Sequence, residues 1–382
     1  MKKQPNIIIF NPDQWRGDAL GHVGHPAAVT PNLDRVVRED GVSFQNAFCH
    51  NACCTASRCS FMTGWYPHVR GHRTMSHMLQ PDEPMLLRML KQNGYFVWWG
   101  GKNDLVPGEN GYGDYCDIKY EPPPDEHAKT VARPANPNWR GAKGGDNFFS
   151  FLKGRLEGGD ALADETTSGD WAVVRGAVNF VRNYDGDQPF CLFLALGAPH
   201  PPYAAEDPWF SLIDRSRVPR RAPVPENREL EPELYAQMRE RLQMDSWTED
   251  RWTELRATYL ASCAQVDHQF GMLMSAVQDA GRYEDTAVFF FSDHGDFTGD
   301  FDVVQKADNV FPDCMCRVPL IIKPPAEVRV QPRVSRALVE LIDFPATVED
   351  LTGIAPRHTH FGRSLLPRSE EHTSELQSLS HI

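Results

Sequence analysis

Two short acidic pairs and one cysteine are the side chains of this chain that could do chemistry together. Asp13-Gln14 and Asp293-His294 offer two carboxylates, an amide oxygen and an imidazole. That mainly oxygen set suits calcium, magnesium or manganese better than zinc. Cys54 stands at the head of Cys54-Thr55-Ala56-Ser57-Arg58-Cys59-Ser60-Phe61-Met62-Thr63-Gly64, a stretch that can start a helix. A nucleophile at such a start sits among unpaired backbone N–H groups at the positive end of the dipole, a seat for a tetrahedral oxyanion. Arg58, one turn on, faces back toward the same point. The residues alone leave a second reading open, in which Cys54 is a buried small hydrophobe like many free cysteines.

Four apolar runs could position these groups. Asn6–Phe10 leads to Asp13-Gln14, Tyr95–Trp99 leads through Gly100-Gly101 to Lys102, Pro189–Leu196 leads to His200, and Thr286–Phe291 leads to Asp293-His294. Continuous apolar runs of this length bounded by Gly or Pro read as strands buried on both faces. Between them lie helical patterns at Pro31–Asp40, with Thr30 as the expected N-cap, and at Pro84–Asn93, Asp170–Asn183 and Trp252–Ala280. The alternation predicts an α/β fold with a mostly parallel mixed central sheet between helices. In such sheets ligands gather outside the carboxyl ends of the strands, so all four polar run ends should face one cleft. Glu121–Gly145 and Asp214–Pro232 read as long irregular loops of the kind that form lids or specificity loops.

Of the 382 residues, 41% are hydrophobic and 24% charged, as in a globular protein. A net charge of −13 argues against a nucleic-acid backbone or an anionic membrane as partner, since both reward a basic face. It leaves room for a small anionic substrate, because a few basic side chains can reverse the potential of a cleft. No stretch reaches the roughly 20 apolar residues that span a bilayer, and Ile7–Phe10 is too short for a signal-peptide core, so the expected location is the cytoplasm. The nine cysteines lack the regular spacing of a disulfide framework and should be mostly reduced, several of them buried. Those from Cys49 to Cys59 contain no Cys-x-x-Cys pair, which disfavours thiolate zinc.

The order of motifs resembles the type I sulfatases of the alkaline phosphatase superfamily. The resemblance rests on the first strand into Asp13-Gln14, Thr30-Pro-Asn-Leu-Asp34, and the Cys54-x-Ala-Ser-Arg58 signature with Thr63-Gly64. It continues through Gly94-Tyr95, Gly101-Lys102, Ala198-Pro-His-Pro-Pro202, Val266-Asp267 in a helix, Ser292-Asp-His-Gly295 and Arg317-Val-Pro-Leu320. It implies that Cys54 is oxidised to formylglycine by a formylglycine-generating or anaerobic sulfatase-maturating enzyme. It also implies that Asp13, Gln14, residue 54, Asp293 and His294 hold a divalent cation, calcium ahead of magnesium or manganese. Arg58 would steady the formylglycine diol, while Lys102, His200 and Lys306 clamp sulfate, with His200 or Lys306 as proton donor. The implied substrate is a small or saccharide sulfate ester.

Three positions depart from the family pattern. Asp104 stands where a histidine is common, and it could recognise a cationic or hydroxyl-bearing part of the substrate. Gln14 replaces the commoner aspartate, a form shared with phosphonate monoester hydrolases, which keeps phosphonate monoester or phosphodiester hydrolysis open as an alternative. Lys306 is placed by its distance after Asp293. A third reading is a non-catalytic anion- or metal-binding homologue. Trp65, Tyr66, His68, His72 and His77 follow the signature and could line a pocket or pack. The catalytic domain is expected over 1–367, leading toward a smaller antiparallel C-terminal subdomain that is largely missing. Residues 368–382 resemble a translated sequencing adapter and are set aside as an artefactual tail.

Overall fold

A computed structural model of the protein describes residues 4–123, 152–153, 169–201, 203–205, 207–242, 244 and 247–366. Its main sheet has nine strands: β1 (Asn6–Asp13), β2 (Val42–Phe48), β3 (Phe96–Gly101), β4 (Ile118–Tyr120), β5 (Phe190–Pro199), β6 (Thr286–Phe291), β7 (Arg317–Val318), β8 (Leu320–Lys323) and β9 (Arg333–Glu340). The order is β9-β2-β8-β6-β1-β5-β3-β4, with β7 also paired to β2. β1 is central, with Ile7 opposite Cys191 of β5 and Ala287 of β6, both parallel. Only β8 and β7 run against their neighbours, so the sheet is mixed but mostly parallel, as expected.

The apolar runs are continuous because helices cover both faces. Those that bear on the site are α1 (Pro31–Glu39), α2 (Cys54–Thr63), α3 (Leu86–Gln92), α4 (Asp170–Asn183), α5 (Glu249–Asp279) and α6 (Asp343–Thr352). With a side-chain period of two, Ile7, Ile9, Trp99, Phe289 and Phe291 face α2, α3 and α6, packing with Phe61, Leu87, Leu90 and Phe344. Ile8, Phe10, Trp98, Leu192 and Phe290 face α1, α4 and α5, packing with Leu33, Val174, Phe270 and Leu273. Each fully buried side chain of this size contributes about 1.5–3 kcal/mol. Among the described residues no helix is long and apolar enough to cross a membrane.

Helix limits follow local signals except where tertiary contacts intervene. Asp170–Asn183 is reproduced residue for residue, while the helix expected from Pro84 begins at Leu86. The long helix begins at Glu249, three residues before the expected Trp252, because the Thr248 side chain accepts from Arg251 N. Thr30 does not cap α1: its hydroxyl donates to Asp34 at 3.0 Å and accepts from Gly21 N. The cap comes instead from Asp267 on α5, whose carboxylate accepts from Leu33 N at 2.8 Å and from Asn32 N at 3.1 Å. The Thr30–Asp34 motif and Val266-Asp267, far apart in the chain, are thus two halves of one helix–helix junction.

The expected loop over 121–145 lies outside the described residues from 124 onward. The other, 214–232, is tied down, with Arg221 bridging Asp302 at 2.7 Å and Glu249 at 2.6 Å. Replacing Asp267 by Ala strips α1 of its cap and should lower stability by about 1–2 kcal/mol, read as a lower urea midpoint with the secondary structure of the remaining protein retained.

Candidate active site

The four strand ends converge as the sheet topology requires. β1 delivers Asp13 and Gln14, the turn after β3 delivers Lys102 and Asp104, the turn after β5 delivers His200, and the turn after β6 delivers Asp293 and His294. Two of these turns depend on glycine. Gly101 has φ +84°, and a Cβ there would lie 2.1 Å from Ala195 O; a Cβ on Gly295 would lie 2.0 Å from Cys314 O. α2 enters with Cys54 as its first residue, all ten of its residues are buried, and Gly64 closes it in the left-handed region. This burial explains why the signature shows no amphipathic stripe.

Arg58 ties the two acidic strand ends together. Its Nε donates to Asp293 Oδ2 at 2.9 Å and its Nη2 lies 3.5 Å from Asp13 Oδ2, all three side chains being fully buried. Lys102 Nζ contacts the same Asp13 oxygen and lies 2.9 Å from Asp104 Oδ2. Cys54 Sγ is 3.5 Å from Asp13 Oδ1, 3.2 Å from His294 Nε2 and 2.6 Å from Lys306 Nζ. The structure therefore brings Cys54, Arg58, Asp13, Asp293 and His294 into one buried constellation, with the half-buried Lys102, Lys306 and Asp104 at its edge. His200 lies within its electrostatic reach.

Charge and burial set the protonation states. Burial opposes the Asp13 carboxylate, but Lys102, His200, Lys306 and His294 together outweigh it and hold its carboxyl well below the usual range. Burial likewise opposes the ammonium groups, yet Asp13 with Cys54 and Asp104 raises the pKa of Lys102, and Cys54 with Asp13 raises that of Lys306. The His200 imidazole is pushed down to about 4, chiefly by burial, and its Nδ1 donates to Pro201 O at 2.7 Å. Burial, then Asp13, pushes the Cys54 thiol up to about 12, despite Lys306. His294 donates from Nδ1 to Gly295 O at 2.8 Å, which leaves the Nε2 lone pair of the neutral ring aimed at Cys54.

These atoms fit a metal ion. One donor atom from each of Asp13, Cys54, Asp293 and His294 lies within 4.8 Å of the others. Gln14 adjoins them: its φ is +72°, its backbone N donates to Asp293 Oδ1 at 3.1 Å, and its buried Oε1 finds no hydrogen-bond partner. A buried acceptor without a donor is costly unless a cation satisfies it.

Several positioning residues escaped the sequence reading. Asp296 accepts from Gln14 Nε2, from Tyr203 OH at 2.9 Å and from Thr298 N at 2.6 Å, which orients the Gln14 amide with its oxygen free. Tyr259 OH donates to Gln14 O at 2.8 Å and accepts from Arg16 N at 2.8 Å, fixing the strained turn. Ser57 Oγ donates to Asp293 O at 2.5 Å. Asp170, first residue of α4, accepts from Gly197 N and Ala198 N and sets the turn that carries His200. Asp296 could have been found from the acid three residues after Asp293; nothing in the sequence marks Tyr203. Of the aromatic and histidine residues after the signature, Trp65, Tyr66 and His72 are held by other partners, and His68 and His77 are exposed. Trp65 donates to Thr359 O and Tyr66 to Glu340, beyond the end of α2 opposite to Cys54, while His72 pairs with Glu83.

A mixed, mostly parallel sheet covered by helices on both faces is a fold shared with solved phosphonate monoester hydrolase and sulfatase structures. Phosphonate monoester hydrolase of Agrobacterium radiobacter superposes with a TM-score of 0.75 at 22% identity, over 97% of this chain and 78% of that one. A structure in complex with its substrate D-glucosamine-2-N,6-O-disulfate gives a TM-score of 0.70 at 21% identity, over 96% of this chain and 80% of that one. The Sulfatase family model matches residues 5–354, and the chain belongs to the sulfatase family. Arylsulfatase K of Danio rerio is 26% identical over 385 residues, spanning 95% of this chain and 68% of the relative.

Because Arg58 neutralises two carboxylates out of reach of water, Arg58→Ala should destabilise the cation-free protein by about 3–5 kcal/mol. Arg58→Lys, which keeps the charge, should cost less, and urea midpoints of the two variants measure both losses.

Proposed function

We propose that this enzyme hydrolyses sulfate esters, small or saccharide, through a formylglycine made from Cys54. The observation that carries the reading is the meeting of Cys54 with the metal-type donors Asp13, Asp293 and His294 and with the basic side chains of Arg58, Lys102 and Lys306. Asp13, Gln14, Asp293 and His294, with residue 54, would hold a divalent cation, calcium by the preference of their oxygen-rich set. That cation would supply polarisation of the sulfate oxygens and of the nucleophile.

A thiol held near 12 stays protonated at neutral pH and attacks poorly. Oxidation by a maturating enzyme replaces it with an aldehyde, whose hydrate carries two hydroxyls. One hydroxyl attacks sulfur, the bond from sulfur to the ester oxygen breaks, and the alcohol leaves with a proton. The second hydroxyl then gives up its proton, the carbon–oxygen bond to sulfate breaks, and the aldehyde returns. Lys102 and Lys306 would hold the sulfate oxygens, and Arg58 would steady the diol. Of the two candidate proton donors, Lys306 keeps its positive charge in the free enzyme, whereas burial holds His200 neutral with its one proton on Nδ1, committed to Pro201 O.

Gln14 in place of a second acid, together with the likeness to a phosphonate monoester hydrolase, supports a second reading in which phosphonate monoesters or phosphodiesters are turned over. Paired rates on phenyl sulfate and a phenyl phosphonate monoester, with protein co-expressed with a maturating enzyme, separate the two. Sulfate ester should be the faster, a chelator should abolish the rate, and calcium should restore it. Cys54→Ala should fall to background; turnover retained in that variant would place the nucleophile elsewhere.

A further inference from the structure

Lys102 is shared between two carboxylates, Asp13 and Asp104, and the second of these has no part in the cation site. A cation held by Asp13 draws that carboxylate's charge toward itself. Lys102 is then left with Asp104 as its counter-charge. The turn gives Asp104 little freedom to leave: its φ is +42°, and Asn103 locks the segment by accepting from Leu105 N at 3.2 Å and Val106 N at 3.1 Å while donating to Val106 O at 2.6 Å. Leu105 and Val106 are themselves fully buried. With its side chain 19% exposed, Asp104 stands at the edge of the constellation and not inside it.

An anion-binding lysine paired with a fixed carboxylate attracts every anion less, and the penalty grows with the anion's charge. We propose that Asp104 selects substrates by charge, favouring tetrahedral esters with one negative charge over dianions of the same shape. A sulfate ester, a phosphodiester and a phosphonate monoester each carry one charge, whereas a phosphate monoester carries nearly two above its second ionisation at about pH 6. The inference rests on the proposed reading of the cleft as an anion site and adds the class of anion it rejects.

Phenyl sulfate and phenyl phosphate are matched in shape and differ in charge. Calorimetric titration of each, at about pH 8 where the phosphate is a dianion, into calcium-loaded Cys54→Ala protein reads binding without turnover. Adding Asp104→Asn should tighten phenyl phosphate about tenfold and phenyl sulfate only about threefold, since the electrostatic energy scales with ligand charge. Asp104→Glu should keep the parent's preference, and Asp104→Ser gives a second neutral variant should the Asn form fold poorly. Equal gains for both ligands, or weaker binding of both, would overturn charge selection and assign Asp104 only to holding Lys102. Those outcomes leave sulfate-ester hydrolysis standing, whereas a parent that binds neither anion would remove the reading on which both rest.

Discussion

Two carboxylates buried at the ends of neighbouring strands, Asp13 on β1 and Asp293 after β6, set the demand that the surrounding structure meets. Removing such charges from water costs several kcal/mol each unless cations and hydrogen bonds compensate. Arg58 spans the pair, Lys102 contacts Asp13, and backbone N–H groups of Gln14 and His294 donate to Asp293. Since Arg58 lies one turn after Cys54 on a wholly buried helix, the same arginine that neutralises the carboxylates also fixes where residue 54 sits. The cysteine's position and the acid pair's stability are consequences of one interaction.

The fold supports this by making each strand end rigid from behind. Gly101 and Gly295 let the backbone pass within contact distance of neighbouring carbonyls, where any side chain would collide. Asp170 pins the last residues of β5, and Tyr259 pins the turn after β1. Left-handed conformations at Gln14, Asp104 and Gln305 cluster around the same cleft, a pattern expected where backbone strain is held by function and repaid by the packed core.

Much of this was legible in the sequence because it is local. The apolar runs ending in Asp13, Lys102, His200 and Asp293 gave the parallel strands, since only strands covered on both faces lack alternation. Cys54, Arg58, Lys102, Asp13, Asp293 and His294 are marked by their motifs, and Lys306 by its distance after Asp293. What was not legible depends on contacts between distant segments. The cap on α1 comes from Asp267, so a good local candidate at Thr30 was put to other use. The orientation of Gln14 is decided by Asp296 and that of Asp296 by Tyr203; the spacing of Asp296 after Asp293 hints at the first, and nothing local marks the second. The aromatic residues after the signature look like a pocket lining in one dimension; the straight path of α2 carries them away from Cys54.

The central claim is that Cys54 is a precursor and not the nucleophile itself. Mass spectrometry of the proteolytic peptide bearing residue 54, from protein co-expressed with a formylglycine-generating or anaerobic maturating enzyme, tests it most directly. The expected result is conversion of the thiol to an aldehyde or its hydrate, with Cys49, Cys53 and Cys59 unchanged. An unmodified thiol at residue 54 in protein that nonetheless turns over a sulfate ester would contradict it.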